Sequence, residues 1–463
     1  MSASTTPSTQ STKTEVVSAL NDVIEFPSLL ETPYLIINGR RVDLGPDTLE
    51  GSGNGQGMPR WLRDSAIMLR QNHAIAIPTE TVYGLAANAL SSESIKKIFA
   101  AKNRPSDNPL IVHVSSLTML RDLYRLSPQS SLPFLGVGSA DPSDVEAVER
   151  EMIPEVYHKL IDKAWPGPLT IVLPRPPCIP MDVLGGHGTT VAFRFPSHPI
   201  ARAIIATVGL PLAAPSANVS GKPSPTLASH VLSDLDGRIP LIVDGGQCDV
   251  GLESTVIDAI TPSQLSADGQ VIPCVLRPGG IIIERLRRLG GIWGEVKVYK
   301  KDFVSKQMED MPSTPGMKYR HYSPNAVVTL FVPTSPASLS DEASPQVSFI
   351  AAKMYEEYKT FVGPATSSEG APAADRRLGV IATNPTIDAL KARIDEDPIR
   401  PSSTVCYRPV ASVTELAREM FRYMREMDHL GAAAIFIEGV TDDNDGLAVM
   451  NRLDKASTHQ ILC

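Results

Sequence analysis

Residues 76–85 read A-I-P-T-E-T-V-Y-G-L, and residues 101–114, after a short amphipathic segment, read A-K-N-R-P-S-D-N-P-L-I-V-H-V. The apolar run 74–77 stops at Pro78-Thr79-Glu80-Thr81, the pattern of a buried strand that delivers two hydroxyls and a carboxylate to its end. Ser91 or Ser92 caps the helix that follows, and Glu93 suits its first turn, where acidic side chains complement unpaired N–H groups. Ile95, Ile98 and Phe99 fall at i, i+3 and i+4 and mark the buried stripe of that helix. Lys102 continues the stripe at i+7, so its ammonium must snorkel, complement the helix C-terminus, or face a cleft that favours positive charge. Arg104 comes two residues later, and a second apolar run, 110–114, carries His113. Hydroxyls, Lys, Arg and His thus converge on one sheet edge, which is the chemistry of an anionic small-molecule site.

The chain has 463 residues, 42% hydrophobic and 20% charged, enough for two domains with large cores. A net charge of −8 argues against non-specific nucleic-acid binding by the whole chain, while leaving room for a local basic cleft. The five cysteines are scattered and contain no C-x-x-C, so reduced thiols in a cytoplasmic setting are expected, with neither a zinc site nor a disulfide framework. No apolar run reaches the roughly 18–20 residues of a membrane span, and the N-terminus lacks an apolar or Arg-rich targeting pattern.

Compositional breaks divide the chain. Residues 1–59 read as a flexible N-terminal extension: 1–24 is Ser/Thr-rich, and the glycine run 51–57 has no strand feeding it, which makes it a linker. Residues 60–300 alternate apolar strands with capped helices, an α/β pattern, with a surface insertion at 126–150. Residues 301–324 form an irregular linker. Residues 325–463 read as a smaller α/β domain with a parallel sheet, with strands expected at 327–332, 347–351, 378–382 and 432–437 and a helix near 413–429.

Four further segments carry candidate chemistry. In 191–199, V-A-F-R-F-P-S-H-P, Val191, Phe193 and Phe195 share one strand face and Arg194 lies on the other with only Ala192 beside it, so Arg194 is read as a ligand. A helix follows from Pro199 at its first position to a Gly209 cap. In 210–223, Ser216 and Asn218 are either ordinary turn residues or hydrogen-bond partners of a phosphate or ribose. Ser254-Thr255 opens a strand. Arg277 ends another, and the two glycines before an expected helix at 281–289 suggest backbone N–H groups free for an anion. No P-loop, H-E-x-x-H, deaminase or G-x-S-x-G motif occurs. His73, His158, His187, His230, His429 and His459 lack ligand-like spacing. The result is a cleft of cations, hydroxyls and an amide without a nucleophile, suited to phosphoryl or nucleotidyl transfer by positioning and charge stabilisation.

In order along the chain, P-T-E-T-V-Y-G-L, K-N-R-P-S-D-N-P-L-I-V-H-V, P-G-P-L-T, F-R-F-P, P-S-A-N-x-S-G, E-S-T-V-I-D and L-R-P-G resemble the YrdC-type family. The S-T-P-G-M-K-Y-R-H-Y-S-P linker and a second domain match its long form, the two-domain threonylcarbamoyl-AMP synthases. The resemblance implies a twisted-sheet α/β domain with a concave basic cleft plus a Rossmann-like C-terminal domain. It implies the condensation of L-threonine, bicarbonate or CO2 and ATP to threonylcarbamoyl-AMP, with Mg²⁺ carried by the phosphates. A separate transferase complex would use the product to modify tRNAs reading ANN codons, and direct tRNA binding by this chain would be weak or absent. The family's ATP signature falls on Lys102, Arg104, Ser216 and Asn218, with Thr170, Arg277 and Tyr322 also nucleotide-facing. Thr79, Tyr83, His113, Arg194 and Ser254 match threonine-side positions, Lys102, Arg104 and Arg194 are the catalytic candidates, and Tyr319 and His321 belong to a closing lid. The rival expectation is an RNA-binding module of the same fold without catalysis.

Overall fold

The computed structural model describes residues 13–26, 34–44, 58–125, 153–306, 309, 314–315, 321–334, 345–362, 376–396 and 405–463. The insertion at 126–150 and the run 51–57 lie outside them.

Eleven strands form the large mixed sheet of the N-terminal domain. From one edge they are Glu15–Ser18, Leu241–Asp244, Ile75–Ile77, Gly84–Asn88, Leu212–Ala213, Ile111–His113, Thr190–Arg194, Leu169–Pro174, Thr255–Asp258, Cys274–Arg277 and Lys297–Val298. The expected strand–helix–strand stands at its centre. Ile75–Ile77 is fully buried, and the helix Ser92–Lys102 is capped by Ser91, whose side chain accepts from the N–H of Ser94. Asn103 ends that helix in the left-handed region (φ 49°), an excursion that Asn tolerates better than most residues. The helix Pro199–Val208 starts at proline and stops at Gly209 (φ 67°), as its sequence specifies.

One row of register neighbours crosses the sheet. His113 pairs with Arg194, Arg194 with Thr170, Thr170 with Val256, and Val256 with Arg277. Cross-strand neighbours point to the same face. Further along that face, Ile111, Val172, Ala192 and Val256 pack with Cys274, Leu276 and Tyr299 as a small apolar patch. The opposite face carries the main core, including Val112, Ile171, Phe193, Ile257 and Val275. One end of the first face is thus apolar and the other polar.

The N-terminal extension is not flexible throughout. Glu15–Ser18 pairs in parallel with Leu241–Asp244, and Thr14 donates to Ile239 O at 2.7 Å. Ile24–Glu25, Tyr34–Ile37 and Arg40–Asp43 form a three-stranded sheet whose Leu35, Ile37 and Val42 pack with Trp61 and Leu62. Composition hid the edge strand, which needs main-chain hydrogen bonds but no apolar face.

The C-terminal domain is a five-stranded sheet in the order Val405–Val410, Arg377–Thr383, Ala432–Glu438, Val327–Val332, His459–Leu462. All pairings are parallel, as expected, but by chain order the strands stand third, second, fourth, first, fifth, so the fourth strand separates the first two and the classic Rossmann succession is not followed. The strand expected at 347–351 is instead part of the helix Pro345–Val362. Val347, Ile350, Ala351, Met354 and Tyr358 are its buried residues, a 3.6-residue period that outweighs the local apolar run.

Candidate active site

The polar end of the sheet row opens into one cavity. Its lining includes Thr79, Lys102, Arg104, His113, Arg194, Ser216, Asn218, Ser254, Arg277, His321 and Tyr322. Eleven of the sequence-derived candidates therefore meet in one place, contributed by strand ends, a helix C-terminus, two loops and the linker.

The strand-borne wall is tightly bonded. Thr79 donates to Val82 O at 2.6 Å and its hydroxyl lies 2.9 Å from that of Thr81. Arg194, 4% exposed, donates to Thr81 Oγ1 at 2.8 Å and places Nη2 2.7 Å from Glu80 Oε1. Burial raises the Glu80 pKa, but the Arg194 guanidinium outweighs it and holds the carboxyl below its ordinary value. Burial, reinforced by Arg194, pushes His113 down to about 3. His113 is therefore a neutral hydrogen-bonding group at neutral pH, with Nδ1 3.2 Å from Ile111 O. Thr170 and Ser254 share a hydroxyl–hydroxyl bond of 2.8 Å, and Arg277 donates to Ser254 O from Nε at 3.2 Å and from Nη2 at 3.0 Å.

The opposite wall is the loop 216–224. Lys102, 1% exposed, directs its ammonium to the carbonyls of Ser216 and Asn218, the latter at 2.6 Å. Burial, then the charge of Arg104, lowers its pKa well below the ordinary value, and a polyanion entering the cavity would restore the charged form. Asn218 serves its own turn, where its amide donates to the carbonyls of Val219 and Lys222 at 2.8 and 2.9 Å, and it also lines the cavity. Glu253 accepts the Ser224 hydroxyl at 2.6 Å. Burial raises Glu253, yet Arg452, Arg277 and the Ser224 hydroxyl together hold it at about 2. Burial, then Glu253, pushes the Tyr322 phenol up to about 12.

Three expectations are not met as drawn. Tyr83 turns away from the cavity: its hydroxyl donates to Gly246 O at 2.7 Å and accepts from Gly245 N–H at 3.1 Å. Thr170 stands behind Ser254 and does not line the cavity. The amides after Arg277 are not free for an anion, because Gly280 N–H donates to Glu253 O and Ile281 N–H to Thr255 Oγ1. The expected helix shrinks to Ile283–Arg287, and a Cβ on Gly279 would collide with the backbone of Glu253 and Ser254, so the glycines allow two backbones to touch. Tyr319 lies outside the described residues.

Sequence reasoning overlooked Thr81, Ser220, Lys222, Ser224 and Glu253, all in the lining. Thr81 was legible as the alternate position to Thr79 in T-E-T. Glu253 opens the quoted E-S-T-V-I-D, but its partner, Arg452, lies in the other domain. Among the described residues no group of three or more His, Cys, Asp or Glu could hold a metal ion. No described helix is long and apolar enough to cross a membrane. Among the described lining residues there is no activated nucleophile. The described lining offers five basic side chains with hydroxyls and amides between them, which suits electrostatic stabilisation of a reacting anion.

Comparison with known proteins agrees with the residues. A Sua5/YciO/YrdC family model, described as telomere recombination, matches residues 67–279. A second, described as the threonylcarbamoyl-AMP synthase C-terminal domain, matches 281–458. The chain is 39% identical over 404 residues to a threonylcarbamoyl-AMP synthase of Schizosaccharomyces pombe, covering 86% of this chain and 88% of the relative. It is 37% identical over 402 residues to that of Bacillus subtilis, covering 87% and 94%. The crystal structure of Pyrococcus abyssi Sua5 complexed with L-threonine superposes with a TM-score of 0.60 at 35% identity, covering 87% of this chain and 96% of that one. The chain is a two-domain member of the threonylcarbamoyl-AMP synthase family.

Proposed function

We propose that this protein makes L-threonylcarbamoyl-AMP from L-threonine, bicarbonate or CO2 and ATP, releasing pyrophosphate. The observation that carries the reading is the convergence of His113, Arg194, Ser254 and Arg277 from the sheet and of the Lys102-held loop on one cavity. The neutral threonine amine first adds to the carbon of CO2 and releases a proton to solvent, which leaves a carbamate. A carbamate oxygen then attacks the α-phosphorus of ATP, the bond to the bridging oxygen breaks, and pyrophosphate leaves with the electron pair. The carbamate and ATP that meet in the transfer step are both anionic, so the protein's part is to orient them and offset their charge.

We assign threonine and its carbamate to the strand-borne wall, where Thr79, His113, Arg194 and Ser254 present hydrogen-bonding groups around one cation. ATP falls to the loop side, with Lys102, Arg104, Ser216, Asn218 and Arg277. The one carboxylate among the described lining residues, Glu253, is already engaged by Ser224 and Arg452. A Mg²⁺ ion would therefore be carried mainly by the phosphates, where it offsets charge on the leaving group. His321 and Tyr322 line the cavity, which supports a linker that closes over the nucleotide and excludes water from the labile carbamate. Threonylcarbamoyl-AMP then passes to a separate tRNA-modifying transferase.

The RNA-binding alternative has less support, since the basic residues turn into a cavity and the family relatives carry the synthase name. The test is pyrophosphate release by the purified chain. Release that needs both threonine and bicarbonate, without RNA, supports the synthase. Release indifferent to threonine, or dependent on RNA, refutes it.

A further inference from the structure

The loop 216–224 is held from three directions. The helix end grips it through the Lys102 ammonium and through Lys102 O, which accepts from Ser220 N–H at 2.8 Å. The linker grips it through Ser323 N–H, which donates to Gly221 O at 2.8 Å. The third grip comes from the C-terminal domain. Arg425, on the helix Val413–His429, donates from Nε to Pro223 O at 3.1 Å and reaches the same carbonyl through Nη2. Its Nη2 also donates to Asp234 Oδ2 at 2.9 Å, and that oxygen accepts Val219 N–H at 3.2 Å. Arg452, on the helix Asn444–Ala456, is 0% exposed. Its Nε and Nη2 each lie 3.1 Å from Glu253 Oε2, and its Nη1 donates to Pro278 O. Glu253 Oε1 accepts the Ser224 hydroxyl at 2.6 Å.

Two consecutive loop residues, Pro223 and Ser224, thus end on two arginines from two helices of the other domain, one directly and one through Glu253. A buried ion pair gives little net stability once desolvation is counted, but its planar, bonded geometry fixes a position well. Arg452 also lies 5.9 Å from the Tyr322 ring centroid, and Tyr322 stacks on Phe421 of the same C-terminal domain at 5.1 Å. The loop and the end of the linker therefore share one anchor.

We propose that Arg425 and Arg452 are positioning residues of the active site, through which the C-terminal domain sets the nucleotide-side wall. The proposal rests on the function given above. It gives the second domain a specific role, because the loop can present Ser216, Asn218 and Lys222 to the phosphates only when both arginines hold its far end.

The test uses the full-length chain carrying Arg425→Met, Arg425→Lys, Arg452→Met, Glu253→Gln and the pair Arg452→Met/Glu253→Gln. The pair removes the buried charge that Arg452→Met alone would strand, so a folded protein is available even if the single variant unfolds. Hydrogen exchange of the ligand-free proteins should quicken at 216–224 and stay unchanged in Ile111–His113 and Thr190–Arg194. Binding of a non-hydrolysable ATP analogue, and KM for ATP, should weaken roughly ten- to hundred-fold, with KM for threonine unchanged. Arg425→Lys should recover part of the loss, and the paired variant should be weaker for ATP than Glu253→Gln alone. Folded variants with wild-type exchange at 216–224, or with ATP and threonine weakened equally, would overturn the proposal. If the unaltered chain shows no threonine-dependent pyrophosphate release, the functional reading fails, while the exchange data still decide the clamp.

Discussion

At one end of the cavity, Thr79, Thr81, His113, Arg194 and Ser254 sit on or beside strands of a single domain, and their partners belong to that domain too, Thr170 on a strand and Glu80 in the turn after Ile77. At the other end, Ser216, Asn218 and Ser224 sit on a loop whose bonds run to a helix end, a linker and a second domain. The first wall is complete when the sheet forms. The second is complete only when two domains and their connection are all in place. A reaction that must admit both a small amino acid and a large polyanion gains from that division: a rigid end gives selectivity, and an assembled end can open and close.

The largest effect should come from the rigid end. If its hydroxyl and imidazole groups satisfy the threonine hydroxyl, valine leaves them unpaired, and turnover of valine should fall by up to about 10⁴-fold while serine remains a poor substrate. Competition between the two amino acids in the pyrophosphate assay measures this, and equal turnover would erase the distinction between the walls. Next, Arg194→Met strands Glu80 in a buried site and should cost about 3–5 kcal/mol of unfolding free energy, measured by denaturant titration. Arg194→Met/Glu80→Gln should recover most of that stability and none of the threonine binding. Recovery of both would show Arg194 to be only a structural partner of Glu80.

At the assembled end, Lys102→Met should reduce turnover by a factor equivalent to about 2–4 kcal/mol, the scale of one lost charge contact. Reading the sequence alone, a cation in an open cleft could be removed without harm to the fold. The structure alters that expectation, because Met leaves the carbonyls of Ser216 and Asn218 without their ammonium donor. The same variant should therefore also unfold more easily, and unchanged stability with lost turnover would mean that the loop does not rely on Lys102.

The last effect concerns pH and separates the two ends by titration. His113 is held at about 3 against an ordinary 6.5, so the unfolded chain takes up its proton first and stability falls as pH drops from about 6.5 towards 3. Glu253 is held at about 2 against 4.5, so its contribution is full above 4.5 and is lost as pH falls towards 2. Urea unfolding across that range should show His113→Asn flattening the upper part of the decline and Glu253→Gln the lower. A decline untouched by either change would place the acid sensitivity elsewhere.

The strand ending at Ile77, the Ser91-capped helix and its stripe leading to Lys102 were all readable, because each depends on neighbours three or four residues away. Three C-terminal strands, Val327–Val332, Arg377–Thr383 and Ala432–Glu438, and the helix Val413–His429 were readable from local pattern as well, whereas Val405–Val410 and His459–Leu462 were not expected. The helix Pro345–Val362 was misread because a short apolar run fits either period until its packing partners are known. Tyr83 was misassigned because a motif match gives no side-chain direction, and its hydroxyl turns to the Asp244–Gly246 bend.

By itself, the sequence determined the class of fold, the family and eleven of the residues that face the cavity, since periodicity, caps and motif order are properties of neighbouring positions. Only the tertiary structure decided which of those residues stand together. Register alone sets His113 beside Arg194 and Arg194 beside Thr170. Only domain docking brings Arg452 to Glu253, 199 positions away. Such contacts depend on how whole elements pack, and a linear pattern of neighbours carries no record of that distance.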